Sequence, residues 1–138
     1  KNLKKIIKYY KIDVVQLPYN IIDRRFEKIF NYLKKNNIKI YARSIFLQGL
    51  LVTDKNIFSS HKAIKKFNKF FFEKKEKKIE ICLDFVKKSP FIDKYVVGVH
   101  NLNHLKQIIY SNIFKNIHYP KSLISLDKKL IDPRVWKT

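Results

Sequence analysis

Three places in the chain set chemistry-capable residues at the ends of β-branched runs. Gln16 closes "IDVVQ" and is followed at once by Leu-Pro-Tyr-Asn, so a carboxamide that can both donate and accept hydrogen bonds stands at a strand tip. Gly49 lies beyond the run "IKIYA" and Gly98 near the end of "KYVVGV", and these are the only two glycines of the chain. His100 and His104 follow, four residues apart, a spacing that puts two imidazoles on one helical face. A zinc site would need a third ligand and an acidic partner, and neither accompanies the pair. Cys82 is the single cysteine and sits among helical core positions in "IEICLDFV". A disulfide framework and a cysteine-based zinc site are therefore excluded, and Cys82 reads as a small buried hydrophobe.

The elements that must position these residues alternate. Leu3, Ile6, Ile7 and Tyr10 mark one face of a helix already under way at the start. "IDVVQ" reads as a fully buried strand stopped by Pro18. "DRRFEKIFNYLKKNN" follows, with Phe26, Ile29, Phe30 and Leu33 on one stripe, Asp23 as its expected N-cap and Asn36-Asn37 as its stop. "IKIYA" is the second strand. The connection "RSIFLQGLLVTDKNIFSS" is longer than the ~12 to 15 residues beyond which loops tend to be functional. Helical spacing resumes over His61 to Phe72 and Lys78 to Lys88, and "SPFID" breaks it. "KYVVGV" makes a third strand, and "NLNHLKQIIYSNI" a helix behind an asparagine cap. The tail, residues 115–138, reads as mostly irregular with at most one short helix. Strand and helix in alternation predict an α/β fold with a parallel sheet. The glycine-rich turn of an open dinucleotide-binding sheet is missing, which favours part of a (β/α)8 barrel. In such a barrel the strand C-termini, where Gln16 and both glycines fall, form the active face.

At 138 residues and 46% hydrophobic content, the chain has the size and composition of one domain with a real core. No run approaches the ~20 apolar residues of a membrane span and the start lacks a secretory h-region, so a cytoplasmic location is expected. The net charge of +20 would ordinarily point to nucleic acid or an anionic surface. Its cations are overwhelmingly lysines along helix edges, as in "NYLKKNN" and "HKAIKKFNKFFFEKKEKK", where they solvate a surface. The arginines are only Arg24, Arg25, Arg43 and Arg134.

Taken jointly, "DVVQLPYNIIDRRFEKIFNYLKKNNIKIYARSIFLQGLL", "VVGVHNLNHLKQII" and the closing "LIDPRVW" resemble the aldo/keto reductases, from about Asp13 to Trp136. The resemblance implies strands six to eight of a TIM barrel and a single unit over 1–138, the C-terminal half of the reductase. It implies NADP or NAD as cofactor and a small carbonyl substrate, an aldehyde, ketone or sugar. Gln16 aligns with the family glutamine that holds the nicotinamide carboxamide. Ser44, Phe46, Leu47, Gln48 and Gly49 keep the pattern of the loop beneath nicotinamide and pyrophosphate. Arg43 departs from it, replacing the aromatic that usually stacks on the nicotinamide; a guanidinium can stack too, or bind an anion. Gly98, Val99, His100, Asn101 and His104 occupy the positions that receive the adenosine 2'-phosphate and adenine, where a helix N-terminus favours an anion. His104 stands where an arginine or glutamine is common and Ile108 where an asparagine is common, which weakens the expectation of strong NADP binding.

The family's catalytic aspartate, tyrosine, lysine and histidine come from its first four strands. The resemblance therefore assigns no catalytic residue here and makes the missing N-terminal half of the barrel a required partner, so the chain alone is expected to lack turnover. The absence of Met and a start inside a helix favour truncation over a complete small protein. The competing reading is a noncatalytic basic half-barrel that binds nucleic acid or another anionic partner.

Overall fold

A computed structural model describes residues 2–53, 57–72, 77–111 and 117–136. The last full helix ends at Ile109, short of its expected reach to Ile113, because Tyr110 already forms a turn. Residues 112 and 113, connection residues 54–56, lysines 74 and 75, and tail residues 115, 116, 137 and 138 lie outside the described residues. Helix α1 (Asn2–Tyr9) leads into β1 (Val14–Pro18), then α2 (Glu27–Lys35) and β2 (Lys39–Arg43). Helices α3 (Lys62–Phe72) and α4 (Lys78–Lys87) precede β3 (Lys94–Tyr95), and α5 (Leu102–Ile109) follows it. The three strands are parallel in the order β1-β2-β3. This is α/β architecture of the kind that builds a (β/α)8 barrel, present here in part.

Period-two alternation divides the sheet into two faces. Leu17, Ile40 and Ala42 are buried beneath the helices, joined by partly buried Val15, Tyr95 and Val97. Opposite them Val14, Gln16, Lys39, Arg43, Lys94 and Val96 are exposed, and Tyr41 is half-buried. "IDVVQ" is therefore not a fully buried strand. It is an edge strand with helices on one side only, and Pro18, which has no N–H to donate, is tolerated as its last residue, in register with Arg43. The third strand is also shorter than "KYVVGV". Pairing stops after the Val96 N–H reaches the Ala42 carbonyl at 2.7 Å, because β2 ends at Arg43 and offers no ladder beyond it.

On the covered side Phe30 and Leu33 of α2, Ile64 and Phe67 of α3, and Ile81 and Leu83 of α4 are fully buried against Ile40, Ile45, Leu47 and Leu51. Each contributes about 1.5 to 3 kcal/mol of hydrophobic stabilisation. Cys82 is wholly buried there, and burial pushes its thiol pKa up to about 12, as an unreactive core hydrophobe requires.

Two ends of α2 behave differently. Asn37 adopts φ +56° and the Ile38 N–H returns to the Leu33 carbonyl at 3.0 Å, a left-handed stop of the kind asparagine favours. Asp23 does not cap the helix, which begins at Glu27 without a side-chain cap. Its own N–H is taken by Asn20 Oδ1 at 2.8 Å, and its carboxylate turns to Arg25. The tail holds more structure than expected: 3-10 turns at Lys121–Leu123 and Pro133–Val135 flank the short helix α6 (Lys128–Ile131). Trp136 pins its end, donating Nε1–H to the Leu130 carbonyl at 3.1 Å with its ring against Phe58. No helix among the described residues is long and apolar enough to cross a membrane.

Candidate functional site

The site is built at the C-terminal ends of the strands by a loop that leaves β2 in an unusual conformation. Ser44, Leu47, Gln48 and Gly49 all have positive φ, at +56°, +47°, +54° and +82°. For the three that carry a Cβ this costs roughly 1 kcal/mol or more each. The loop holds because its apolar residues are anchored: Ile45, Leu47 and Leu51 are buried to within 1%. Turn hydrogen bonds from the Leu47 N–H to the Ser44 carbonyl and from the Leu51 N–H to the Phe46 carbonyl brace it.

Asn20, absent from the sequence-level expectation, ties this loop to the one after β1. Its side chain is fully buried, donates Nδ2–H to the Ser44 carbonyl at 2.9 Å, and accepts from the Ile22 and Asp23 N–H groups at 3.0 and 2.8 Å. The Tyr19 N–H adds a bond to the Arg43 carbonyl. The "LPYN" that closes the first strand is therefore a clamp on Ser44. Tyr19 itself turns away from the strand tips into the helix layer, where it packs on Phe30 and Phe85 and donates to Glu27 at 3.0 Å. Burial, and then the neighbouring Glu27 charge, raise its pKa well above the ordinary phenol value.

Two adjoining clefts result, and Ser44 and Gln48 border both. The first, about 340 Å³, lies between the β2 loop and the end of β3. Phe46, Gly49, Gly98, His100 and His104 line it. A Cβ built on either glycine would meet nothing within 4 Å, so both leave open space in the cleft wall. The second, about 410 Å³, holds Gln16 and Arg43 together with Arg25, Asp132 and Arg134. Three expected site residues border neither cleft. Leu47 is buried in the core, Val99 is exposed, and Asn101 uses its Oδ1 to cap α5, accepting from the His104 N–H at 2.8 Å. The His100 and His104 rings are 6.1 Å apart, and the described residues contain no group of three His, Cys, Asp or Glu able to hold a metal.

The second cleft is a chain of alternating charges. Arg25 meets Asp23 at 3.2 Å, and Arg134 grips Asp132 with two bonds of 2.8 and 2.7 Å. Those bonds hold Asp132 down at a pKa of about 2. Asp23 is shifted the other way: burial raises its pKa against the opposing pull of Arg25 and Arg43. Arg43 donates to the Ser44 hydroxyl at 3.1 Å and has no carboxylate partner among the described residues. Arg25 is far in sequence from Asp132 and Arg134, and the one signal that could have singled out the arginines is their scarcity in a lysine-rich chain.

Comparison with known proteins settles the lineage. The sequence profile of the aldo/keto reductase family matches residues 1–122. The chain belongs to the aldo/keto reductase family. The fold agrees: an aldo-keto reductase from Bacillus halodurans superposes in its apo form with a TM-score of 0.69 at 16% identity, covering 80% of this chain and 41% of that one. Its holo form gives 0.68 at 17% identity, covering 80% and 40%. This aldo/keto reductase chain thus spans well under half the length of the solved relatives it matches. No curated protein sequence matches it.

Proposed function

We propose that this chain is the C-terminal, cofactor-side half of an NAD(P)-dependent aldo/keto reductase, contributing strands six to eight of the barrel and inactive alone. One observation carries the reading: Gln16, Ser44 and Gly98, from three separate strand ends, border two clefts with a shared wall at the same edge of the sheet. The residues fit a nicotinamide dinucleotide. The two glycines leave a hollow that a Cβ would enter, and Gly49 sits in the left-handed turn at residues 47–49. Gln16 is exposed at its strand tip with both halves of its amide able to engage a carboxamide.

When bound, the dinucleotide supplies the hydride. On this reading the chain's own residues position and shield: Gln16 orients the nicotinamide amide, Ser44 and Gln48 form the wall under it, and Gly98, His100 and His104 receive the phosphate-bearing end. Arg43 borders the second cleft together with Gln16, so its planar guanidinium lies on the same side of the site as the nicotinamide amide. Proton delivery falls to an aspartate, tyrosine, lysine and histidine on the complementary half of the barrel, which would also cover the bare sheet face and pair the free edges of β1 and β3. Titration of the chain with NADP+ should move the amide signals of Ser44, Gln48, Gly49 and Gly98 saturably. Gln16→Ala should weaken binding about tenfold. Lack of saturable binding, or shifts confined to surface lysines, would remove the cofactor assignment.

A further inference from the structure

We propose that the arginine-lined cleft is the substrate side of this site and receives a carbonyl compound carrying one carboxylate, held by Arg43. The inference rests on the cofactor reading above and adds the substrate class. The chain has four arginines among 31 basic residues, and three of them border this one cleft, which no lysine among the described residues borders. The surfaces elsewhere use lysine, a mobile point charge suited to solvation, whereas the planar guanidinium fork matches a carboxylate through two parallel hydrogen bonds. Such a distribution is what a built anion subsite requires.

The charge count fixes the anion's valence. Arg25 is answered by Asp23 and Arg134 by Asp132, each within 3.2 Å. Arg43 makes direct contact with no carboxylate among the described residues, bonding the neutral Ser44 hydroxyl while acting on Asp23 only through its charge, and its side chain is exposed to the cleft. Among the described residues the cleft therefore holds one uncompensated positive charge, which a monocarboxylate neutralises. Leu17, Pro18, Phe26, Ile131 and Pro133 supply an apolar wall for the rest of a small molecule, and Gln16 places the cleft beside the nicotinamide position. The adjoining glycine-lined cleft contains no arginine, so the two have separate tasks.

A carboxylate from substrate and the pyrophosphate of the dinucleotide share the chemistry that would satisfy Arg43, and the test separates them. Spectra of the full chain, including arginine Nε–H signals, are followed with pyruvate and with acetone as its uncharged counterpart. Pyruvate should shift Arg43 and the Gln16 side-chain amide saturably, and acetone should not. Arg43→Gln should weaken pyruvate at least tenfold, whereas Asp132→Asn, which removes a negative charge from the rim, should tighten it severalfold. The pyruvate shifts should persist at saturating NADP+. Displacement of pyruvate by NADP+ would give Arg43 to the dinucleotide, overturning this assignment and leaving the cofactor reading intact. Binding of pyruvate with the stated charge effects in a chain that does not take NADP+ would keep the anion subsite and discard the cofactor reading. Shifts spread over the lysine surface and indifferent to Arg43→Gln would overturn the proposal outright.

Discussion

The two clefts share Ser44 and Gln48 yet are made of opposite materials. The glycine-lined one is walled by apolar residues such as Phe46, Val52, Ile79 and Val97 and opened by the two glycines, with His100 and His104 at one end. The arginine-lined one is shaped by long side chains brought from β2, the approach to α2 and the tail. An apolar hollow opened by glycines is fixed largely by the packing of the fold. A side-chain cleft is tunable residue by residue, and it is where one member of a family can differ from another. On the proposed reading, the difference puts the general and the particular parts of the site on the two sides of a single loop.

If that loop is the shared wall, unclamping it should damage both clefts at once. Asn20→Ala removes a fully buried side chain with three hydrogen bonds and strands the Ile22 and Asp23 N–H groups and the Ser44 carbonyl. A loss of about 3 kcal/mol is expected, a large share of a small domain's stability. Denaturant unfolding measures it. The expected companion is simultaneous loss of NADP+ and pyruvate binding, and a variant that loses only one would show that the clefts do not share a wall.

The glycines sharpen the comparison at intermediate cost. Gly49 and Gly98 both face open space, but only Gly49 has a positive φ, so an added methyl group meets different obstacles. Gly49→Ala should destabilise the chain by roughly 1 kcal/mol through backbone strain alone. Gly98→Ala should leave the unfolding midpoint where it is and reduce NADP+ affinity severalfold by filling the hollow, with pyruvate binding unchanged. Equal thermal shifts for the two variants would contradict the distinction.

Local signals in the sequence were read well and distant ones poorly. Asn101 as the cap of α5 and Asn36-Asn37 as the end of α2 follow from side-chain chemistry acting within three residues, and these two ends stand where the pattern puts them, whereas the opposite ends of both helices do not. The parallel order follows from alternation. Asp23 misleads because its carboxylate is taken up by the Arg25 N–H and guanidinium, and the helix starts only at Glu27. The arginine cleft is invisible for a related reason: Arg25 and Arg134 meet only because the tail folds back, with Arg25 Nη2 donating to the Ile131 carbonyl at 3.4 Å. The extent of β3 depends on where its neighbour stops, which no property of "KYVVGV" encodes.

The smallest expected effect concerns the rim of the arginine cleft. Asp132 has a folded-state pKa of about 2, depressed first by the hydrogen bonds from Arg134. A depressed carboxylate pKa means that the tail contact is fully present above the ordinary unfolded value of about 3.9 and is lost as pH falls through the folded one. The tail should therefore loosen between about pH 4 and 2, in a protein otherwise still folded. Asp93 and Asp127 are also shifted downward, so a global probe would blend three groups. The 13C signal of the Asp132 carboxyl isolates it: a midpoint near 2 is expected, rising toward the ordinary value in Arg134→Gln and unmoved in Gly98→Ala. Because Asp132 is at the cleft mouth, pyruvate bound to Arg43 should raise that midpoint slightly through like-charge repulsion, while NADP+ in the neighbouring cleft should move it less.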